Sequence, residues 1–292
     1  MDLSIVIVNW NVRELLRKAL QSIQDNPATR YTYEVIVTDN DSKDNSVEML
    51  RESFPWVKLV ASDKNLGFAA GNNAGFRLAT GRIILCLNPD TEMHPQTLDF
   101  IVEQFDQDSQ LGALGVKLLN TDGTLQPSCK SFPNLDTVLW NALSLDTLFP
   151  KSKIFGKYNM TWFDHASECE VAQPMGAALA FRRSVLAQVG EYDERYFMYF
   201  DEVDLCFRVH HAGWKIKFFP QVSVTHHWAQ STNQALFSMN KQWYISFAKY
   251  FMKNLKYPQW LTWLVLTSMV WLKLLILVVL ITGVVRIIWG GM

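Results

Sequence analysis

The chain has 292 residues, and its 27 basic and 28 acidic side chains leave a formal net charge of −1. This balance offers no broad basic surface, so we expect no nucleic-acid partner. The four cysteines lack C-x-x-C spacing, and we expect reduced, mostly structural thiols of a cytosolic compartment.

Strand and helix patterns alternate over the first 120 residues. Leu3 to Val8 is a near-continuous apolar run, typical of a strand buried on both faces. Asn11 is predicted to cap the following helix, with Glu14 completing a capping box. The order of the later strands and helices predicts an α/β fold: strands at 34–38, 57–61 and 83–87, helices at 46–52 and 69–79. We expect a mostly parallel central sheet with its ligand site at the carboxyl ends of the strands.

Polar residues follow two of these predicted strands, in the segments 39–42 and 88–90. The sequence contains neither a G-x-G-x-x-G fingerprint after the first strand nor a phosphate-binding G-x-x-x-x-G-K-[ST] loop. The absence of both motifs argues against a Rossmann dehydrogenase and against a P-loop nucleotidase. If the ligand carries a diphosphate, a divalent cation held by a carboxylate such as Asp90 is the simplest counter-charge.

The segment Tyr192–Phe207 places five acidic side chains among aromatic residues. Buried carboxylates are costly unless they are paired, bind metal or transfer protons. A solvated helix N-terminus is the alternative interpretation, because acidic side chains complement the helix dipole there.

Composition changes sharply near the C-terminus, where residues 257–292 carry four tryptophans and only two charges. Leu261 to Val285 supply 25 residues, enough for a helix across a hydrocarbon core of about 30 Å. Lys273 lies near the middle of this run, where a charge is costly, so two shorter helices in the membrane interface are an alternative. A buried helix of a soluble protein is a third interpretation. Three lysines just before this segment favour a cytosolic position for the preceding domain: Lys249, Lys253 and Lys256.

Five ordered segments carry a family resemblance: Ser4–Asn11 (SIVIVNWN), Val35–Ser46 (VIVTDNDSKDNS), Asn65–Phe76 (NLGFAAGNNAGF), Leu87–Thr91 (LNPDT) and Gly176–Leu205. Together they resemble the inverting family 2 glycosyltransferases, and most closely the rhamnosyltransferase-like branch. The resemblance covers roughly residues 1–228 and implies a GT-A nucleotide-sugar-binding fold that uses Mg²⁺ or Mn²⁺.

The resemblance implies a set of donor-binding residues: Asn9, Asp39, Asn65, Gly67, Gly71, Asn72, Asn88 and Gly176. Asp39 takes the position that binds the pyrimidine base, where a carboxylate can accept the N3–H of uracil or thymine. An Asx-turn would place the same residue type at this point. Glycines that serve only helix packing would likewise look the same as donor-loop glycines.

Asp90 matches the last acid of the family's Asp-x-Asp metal motif, and Asn88 stands where the first acid is usual. His226 follows a predicted strand at 222–225 and matches a metal-ligating histidine of related enzymes. Asp90 and His226 are therefore the predicted metal ligands. A single carboxylate leaves more of the coordination to the diphosphate and water.

The family usually reads Glu-Asp-x-Asp in the acidic segment, where this chain has Asp201-Glu202-Val203-Asp204. Glu202 takes the position of the general base, and Asp201 is the alternative because neighbouring helix residues point about 100° apart. Asp204 and Arg208 are predicted to form an i,i+4 salt bridge.

The sequence thus predicts a membrane-attached, metal-dependent inverting glycosyltransferase with its catalytic domain on the cytosolic side of the cytoplasmic membrane. The predicted donor is a UDP- or dTDP-sugar, with dTDP-rhamnose as one candidate, and the predicted acceptor is a hydroxyl of a cell-surface glycan or of a polyprenyl-linked precursor. We expect a catalytic domain at 1–228, a connecting helical segment at 229–256 and a membrane segment at 257–292. A sugar-phosphate nucleotidyltransferase and a non-catalytic membrane scaffold with a degenerate site are the alternatives.

Overall fold

The computed structural model describes residues 1–227, 236–269 and 271. These residues form two compact units. The first contains Met1–Lys130 and Asp164–Ser246, and the second contains Ser131–Phe163 with the described residues from Phe247 onward. The predicted division at residues 228 and 256 stays a prediction, since part of the connecting segment lies outside the described residues.

Ten of the strands form one sheet, and two short strands form a second. The strands are β1 (Leu3–Asn9), β2 (Tyr33–Asp39), β3 (Lys58–Ala61), β4 (Ile83–Leu87), β5 (Thr91–Met93), β6 (Leu111–Leu119), β7 (Leu125–Gln126), β8 (Cys129–Lys130), β9 (Cys169–Glu170), β10 (Gln173–Pro174), β11 (Ala178–Arg182) and β12 (Lys215–His226).

The helices are α1 (Arg13–Asp25), α2 (Ser46–Ser53), α3 (Gly67–Phe76), α4 (Thr97–Gln107), α5 (Leu135–Ala142), α6 (Leu145–Leu148), α7 (Arg183–Val189), α8 (Asp201–His211) and α9 (Leu236–Asn254). Residues 259–269 are also helical. The alternation predicted for the first 90 residues is confirmed, with shifts of a few residues at the ends of elements.

The core of the first unit forms around the central strands. Every residue of β1 is buried, and α1 turns its apolar stripe inward through Leu16, Ala19, Leu20 and Ile23. Burying one such side chain contributes roughly 1.5–3 kcal/mol relative to leaving it in water. The polar end of β1 is thereby fixed in position, because seven buried residues lead to it.

The main sheet is mixed, which corrects the prediction of a mostly parallel sheet. Its order is β3-β2-β1-β4-β11-β6-β12-β5, and the first four strands run parallel. The strand β11 runs antiparallel to both of its neighbours, and β5 runs antiparallel to β12. A short apolar run such as 178–182 predicts a buried strand. The direction of that strand in the sheet depends on the segment that connects it to its neighbours, and this segment has no periodic sequence pattern.

The predicted capping box at the start of α1 is wrong. Val12 is the N-cap residue and offers no side-chain cap, and the amide of Arg13 donates to Oδ2 of Asp44 at 2.7 Å. Asn11 instead has a left-handed backbone with φ of 53°, and its Oδ1 accepts a hydrogen bond from the backbone amide of Lys43 at 2.7 Å. Asparagine tolerates this conformation, so the residue connects two loops at the carboxyl edge of the sheet.

Within the described ranges, no helix combines the length and the apolar character needed to cross a bilayer. Most of the predicted membrane segment, including Lys273 and Val285, lies outside the described residues. The part that is described, residues 259–269, is helical and exposes Trp260, Trp263 and Leu264.

A buried carboxylate ties the first strands together at the edge opposite the polar strand ends. Glu34 accepts hydrogen bonds from the hydroxyl of Ser4 at 2.6 Å and from the amide and hydroxyl of Thr80, and it pairs with Lys58. Burial raises the pKa of Glu34, but the hydrogen bonds from Lys58, Ser4 and Thr80 outweigh it and lower the pKa from 4.5 to about 2.

We expect Glu34→Gln to destabilise the protein at neutral pH by about 1–3 kcal/mol, since a charged acceptor of several hydrogen bonds is lost. A depressed carboxyl pKa stabilises the fold above pH 4.5 and ceases to do so as the pH falls toward 2. Urea unfolding at pH 7 and at lower pH should therefore show a shrinking difference between the variant and the wild type. The exposed Glu52→Gln serves as the matched control, and a pH-independent difference for Glu34 would contradict the assignment.

Candidate active site

The carboxyl ends of three parallel strands bring the first set of predicted residues together. Asn9 and Asp39 end β1 and β2 as register partners, and β4 pairs with β1 so that the segment 88–90 follows alongside them. This is the sheet edge at which the sequence places the ligand site. Its position follows from parallel strand order, because such strands end at one edge.

Asn9 and Asp39 form a buried polar pair. The Nδ2 atom of Asn9 donates to Oδ2 of Asp39 at 2.7 Å and to the hydroxyl of Ser42 at 3.1 Å. The backbone amide of Ser42 donates to Oδ1 of Asp39 at 2.9 Å, which is the turn contact that the alternative interpretation expects. Each carboxylate oxygen keeps a second lone pair. Asp39 can therefore form this turn and also bind a pyrimidine base, and its role in binding the pyrimidine stays a prediction.

The glycines of α3 allow close packing against the sheet. A Cβ atom on Gly71 would lie 2.8 Å from a methyl group of Val8, so this glycine faces β1. Gly67 has φ of +81°, and a Cβ there would lie 2.4 Å from the carbonyl oxygen of Phe197. Both positions require glycine for packing, and their predicted contact with the donor stays a prediction.

The two asparagines predicted beside these glycines hold the start of α3. Oδ1 of Asn65 accepts a hydrogen bond from the amide of Gly67 at 2.9 Å, and Nδ2 of Asn72 donates to the carbonyl of Phe68 at 3.0 Å. Asn72 is buried. These contacts shape the loop at the start of α3, and the predicted contact of either side chain with the donor stays a prediction.

Asp90 and His226, the two predicted metal ligands, lie next to each other. Nε2 of His226 is 3.4 Å from Oδ1 of Asp90 and 3.4 Å from Nδ2 of Asn88. The pairing of β12 with β5 brings them together, with His226 opposite Thr91 in the register. Two ligands bound at about 2.1 Å to one ion and at right angles lie about 3 Å apart, so this spacing fits a shared divalent cation.

Gln126 orients the imidazole of His226. Its Oε1 lies 2.7 Å from Nδ1 of His226, and its Nε2 donates to Oδ1 of Asn120 at 2.9 Å, which fixes the direction of the amide. An accepting Oε1 requires the proton on Nδ1, and in the neutral imidazole Nε2 then has a lone pair on the side of Asp90. Sequence reasoning missed Gln126, because a lone glutamine on a two-residue strand carries no recognisable signal.

The described part of the chain contains no group of three or more His, Cys, Asp or Glu side chains placed to hold a metal ion. The Asp90–His226 pair nevertheless offers one hard oxygen and one imidazole nitrogen, a donor set that suits Mn²⁺ or Mg²⁺ when a diphosphate supplies further oxygens. The residues present therefore fit the implied metal.

The antiparallel strand β11 connects this edge to the acidic helix. Because β11 runs opposite to β4, its first residues lie beside the end of β4, and the amide of Asn88 donates to the carbonyl of Ala177 at 2.9 Å. The preceding residue, Gly176, faces Glu202: a Cβ built on it would lie 3.5 Å from Cβ and Cγ of Glu202. The predicted metal ligands and the predicted base thus converge on the start of β11.

Asp201 and Glu202 differ in their environments at the N-terminus of α8. Asp201 is buried, and its Oδ2 has no hydrogen-bond partner within the described ranges. Burial, and then the charge of Glu202, raise the pKa of Asp201 well above its ordinary value. Glu202 is half-buried and faces Gly176. The geometry therefore separates a buried carboxyl from one that reaches the edge of the site.

Lys130 is the cation that balances Glu202. Burial raises the pKa of Glu202, and the nearby ammonium of Lys130 opposes this shift. Burial in turn lowers the pKa of Lys130, and the negative charge of Glu202 opposes this shift. Lys130 ends β8, which pairs with β10 just before Gly176. Sequence reasoning missed this lysine, since nothing in its neighbourhood marks it as part of a site.

The predicted salt bridge within α8 is confirmed. Nε of Arg208 lies 3.0 Å from Oδ2 of Asp204, which is fully buried. The same guanidinium donates to the carbonyl oxygens of Val189, Gly190 and Glu191. Asp204 is therefore a structural carboxylate, unlike its neighbours at 201 and 202.

The fold and the site together define a glycosyltransferase, an α/β enzyme with a GT-A-like mixed sheet. The family model for glycosyl transferase family 2 matches residues 4–159. An N-acetylglucosaminyl-diphospho-decaprenol L-rhamnosyltransferase of Mycobacterium tuberculosis is 30% identical over 244 residues, which cover 80% of this chain and 78% of that protein. This chain belongs to glycosyl transferase family 2.

Two further likenesses agree with this family. The rhamnosyltransferase WbbL of Escherichia coli K12 is 25% identical over 252 residues, covering 82% of this chain and 89% of that protein. The structure of mannosyltransferase PcManGT from Pyrobaculum calidifontis, in complex with GDP-Man and Mn²⁺, superimposes with a TM-score of 0.59. It is 18% identical and covers 88% of this chain and 64% of that one, so the likeness shows the fold.

We expect Gln126→Leu to weaken Mn²⁺ binding by about 10–100-fold, because the imidazole of His226 loses the acceptor that orients it. Gln126→Glu retains an acceptor and should keep most of the affinity. Mn²⁺ binding in the presence of UDP, followed by electron paramagnetic resonance, measures both. Gln24→Leu on the exposed face of α1 is the matched control, and unchanged affinity in Gln126→Leu would remove Gln126 from the site.

Proposed function

We propose that this protein is a metal-dependent, inverting glycosyltransferase that uses a UDP- or dTDP-sugar, with dTDP-rhamnose the first candidate. The proposed acceptor is a hydroxyl of a glycan precursor carried on a polyprenyl diphosphate at the cytosolic face of the cytoplasmic membrane. One observation carries the proposal: the Asp90–His226 pair and Glu202 converge through Asn88, Ala177 and Gly176. The names of the Mycobacterium tuberculosis and Escherichia coli relatives support rhamnose as the sugar.

The donor lies along the carboxyl edge of the sheet in this proposal. Asp39 accepts the N3–H of the pyrimidine, and the loop that starts α3 lies beside the nucleotide and sugar. Asp90 and His226 would hold the divalent cation, and its positive charge would stabilise the diphosphate as a leaving group. The Mn²⁺ and GDP-Man in the related mannosyltransferase structure support such a cation.

Glu202 acts as the general base. It reaches the edge of the site beside Gly176, whereas Asp201 is buried and its raised pKa favours the neutral acid, which cannot take a proton. Glu202 takes the proton of the acceptor hydroxyl as the oxygen attacks the anomeric carbon opposite the leaving diphosphate. A single in-line displacement of this kind inverts the configuration at that carbon.

The segment 257–292 attaches the enzyme to the membrane in this proposal. Its tryptophans and near absence of charge support a position in the bilayer or its interface. Attachment would bring the catalytic unit to an acceptor that cannot leave the membrane.

A panel of nucleotide sugars tests the proposed function. Purified protein is incubated with UDP- and dTDP-sugars, Mn²⁺ or Mg²⁺, and a short polyprenyl-diphosphate acceptor, and product and released nucleotide are measured. Transfer from one pyrimidine donor that is lost with EDTA and restored by Mn²⁺ supports the proposal. Metal-independent transfer, or no transfer and no nucleotide release with any donor, would contradict it.

We expect Glu202→Gln to lower kcat by about 10²–10⁴-fold while donor binding persists, as for a lost general base. Asp201→Asn should retain much more activity, because its carboxyl already favours the neutral form. The comparison is made by steady-state kinetics together with calorimetric titration of UDP. The opposite order of effects would transfer the role of base to Asp201.

The pH profile gives a separate prediction. A general base must be deprotonated, and the raised pKa of Glu202 places the acid limb of kcat/KM above pH 4.5. Because the ammonium of Lys130 lowers this pKa, Lys130→Met should move the acid limb to higher pH, and Lys130→Arg should leave it near the wild-type position. A limb that does not move in Lys130→Met would show that Glu202 is not the titrating base.

A further inference from the structure

Exposed apolar side chains concentrate in the second compact unit. Among the described residues, nine of the twelve exposed large apolar side chains belong to it. Four of the nine lie in a short stretch that begins at the end of α6: Leu148 (66% exposed), Phe149 (52%), Ile154 (66%) and Trp162 (37%). Exposed apolar surface of this density marks an interaction site.

This stretch, residues 147–163, is called here the lysine–aromatic loop, and it is held in a defined shape. The hydroxyl of Thr161 donates to the carbonyl of Pro150 at 2.7 Å, which closes the loop on itself. The ring of Phe155 packs against Trp140 and Phe149, with centroids 5.2 and 5.4 Å away. Its fixed internal contacts keep the four apolar side chains on the outside.

The loop is also anchored at its base. Asp146, which is buried, accepts hydrogen bonds from Asn159 at 2.9 Å and from Asn141 at 3.3 Å. A buried carboxylate bridging α5 and the far end of the loop stabilises this shape against collapse of the apolar side chains inward.

The charges of the loop have one sign. Residues 147–163 contain three lysines and no acidic residue. Lys151 and Lys153 are exposed, and Nζ of Lys153 lies 4.8 Å from the ring centroid of Trp162. Lys157 is paired with Asp136 at the root of the loop. Two exposed ammonium groups therefore stand among the four exposed apolar side chains.

The chemistry of this surface favours a lipid bilayer over a protein partner. Lysine is depleted at protein interfaces, whereas lysine with tryptophan and phenylalanine is typical of segments that lie at the boundary between headgroups and acyl chains. Exposed ammonium groups complement the phosphates of anionic lipids.

We propose that the lysine–aromatic loop is a second membrane-contact site, which inserts Leu148, Phe149 and Ile154 below the headgroups of an anionic bilayer while Lys151 and Lys153 bind lipid phosphates. This site is separate in sequence from the segment 257–292 and does not depend on which sugar the enzyme transfers. It would hold the second unit against the surface in a fixed orientation.

A fluorescent label tests the proposal in the full-length protein. Cys86, Cys129 and Cys206 are buried, so Cys169→Ser combined with Ile154→Cys gives one reactive thiol for an environment-sensitive nitrobenzoxadiazole label. With vesicles of phosphatidylcholine and phosphatidylglycerol, the emission should shift to the blue and be quenched by nitroxide lipids. The same label at Glu52→Cys on α2 is the control and should remain in water.

The lysines are tested on the same labelled protein. Each lysine near an anionic surface is worth about fivefold in affinity, so Lys151→Gln with Lys153→Gln should raise the lipid concentration for half-maximal shift by about 25-fold. An unshifted label at 154 on protein that sediments with vesicles would overturn the proposal, as would an equal shift on pure phosphatidylcholine. A shift that appears without vesicles and grows with protein concentration would also overturn it, and would assign the loop to self-association. None of these outcomes changes the result expected from the panel of nucleotide sugars, which tests the proposed function separately.

Discussion

The reversed strand β11 is the constraint on which the assembly of the site depends. It lies between β4 and β6 and is antiparallel to both, so its first residues meet the last residues of β4. The hydrogen bond from Asn88 to Ala177 closes this junction. A parallel strand here would carry Gly176 to the opposite edge of the sheet, about five residues or roughly 16 Å away. Glu202, which faces Gly176, would then no longer lie on the side of the sheet that holds Asp90 and His226.

Much of the donor side could be predicted from sequence, because it depends on local rules. Asn9, Asp39 and Asn88 each follow a buried apolar run, and parallel strand ends share one edge. The orientation of β11 could not be predicted, since Ala178–Arg182 reads equally well in either direction. Gln126 contacts His226, 100 residues further along the chain, and Lys130 lies on a two-residue strand whose pairing partner is about 40 residues away. Single-sequence patterns carry no information about such pairings.

The acidic helix shows how one short segment gives three carboxylates different properties. Asp204 is neutralised by Arg208, Glu202 is balanced by Lys130, and Asp201 is buried with no matching cation among the described residues. The entry to this helix is also unusual, because Tyr199 and Phe200 both have left-handed backbones, with φ of 64° and 62°. Non-glycine residues in this region cost on the order of 1–3 kcal/mol each. The surrounding packing, including Ser246 donating to the carbonyl of Met198 at 2.7 Å, offsets that strain.

The contact of Gly67 with Phe197 has a mechanical consequence. The amide of Phe68 donates to the carbonyl of Phe197 at 2.8 Å. The two backbones lie so close together that a side chain at Gly67 would not fit between them. Further along α3, Asn73 exchanges hydrogen bonds with the backbone of Tyr192. The helix α3 and the segment that leads into α8 are therefore joined by hydrogen bonds at two points. A displacement of α3 must therefore also move the segment that leads into Glu202, so the loop at the start of α3 and the carboxylate at the start of α8 shift together.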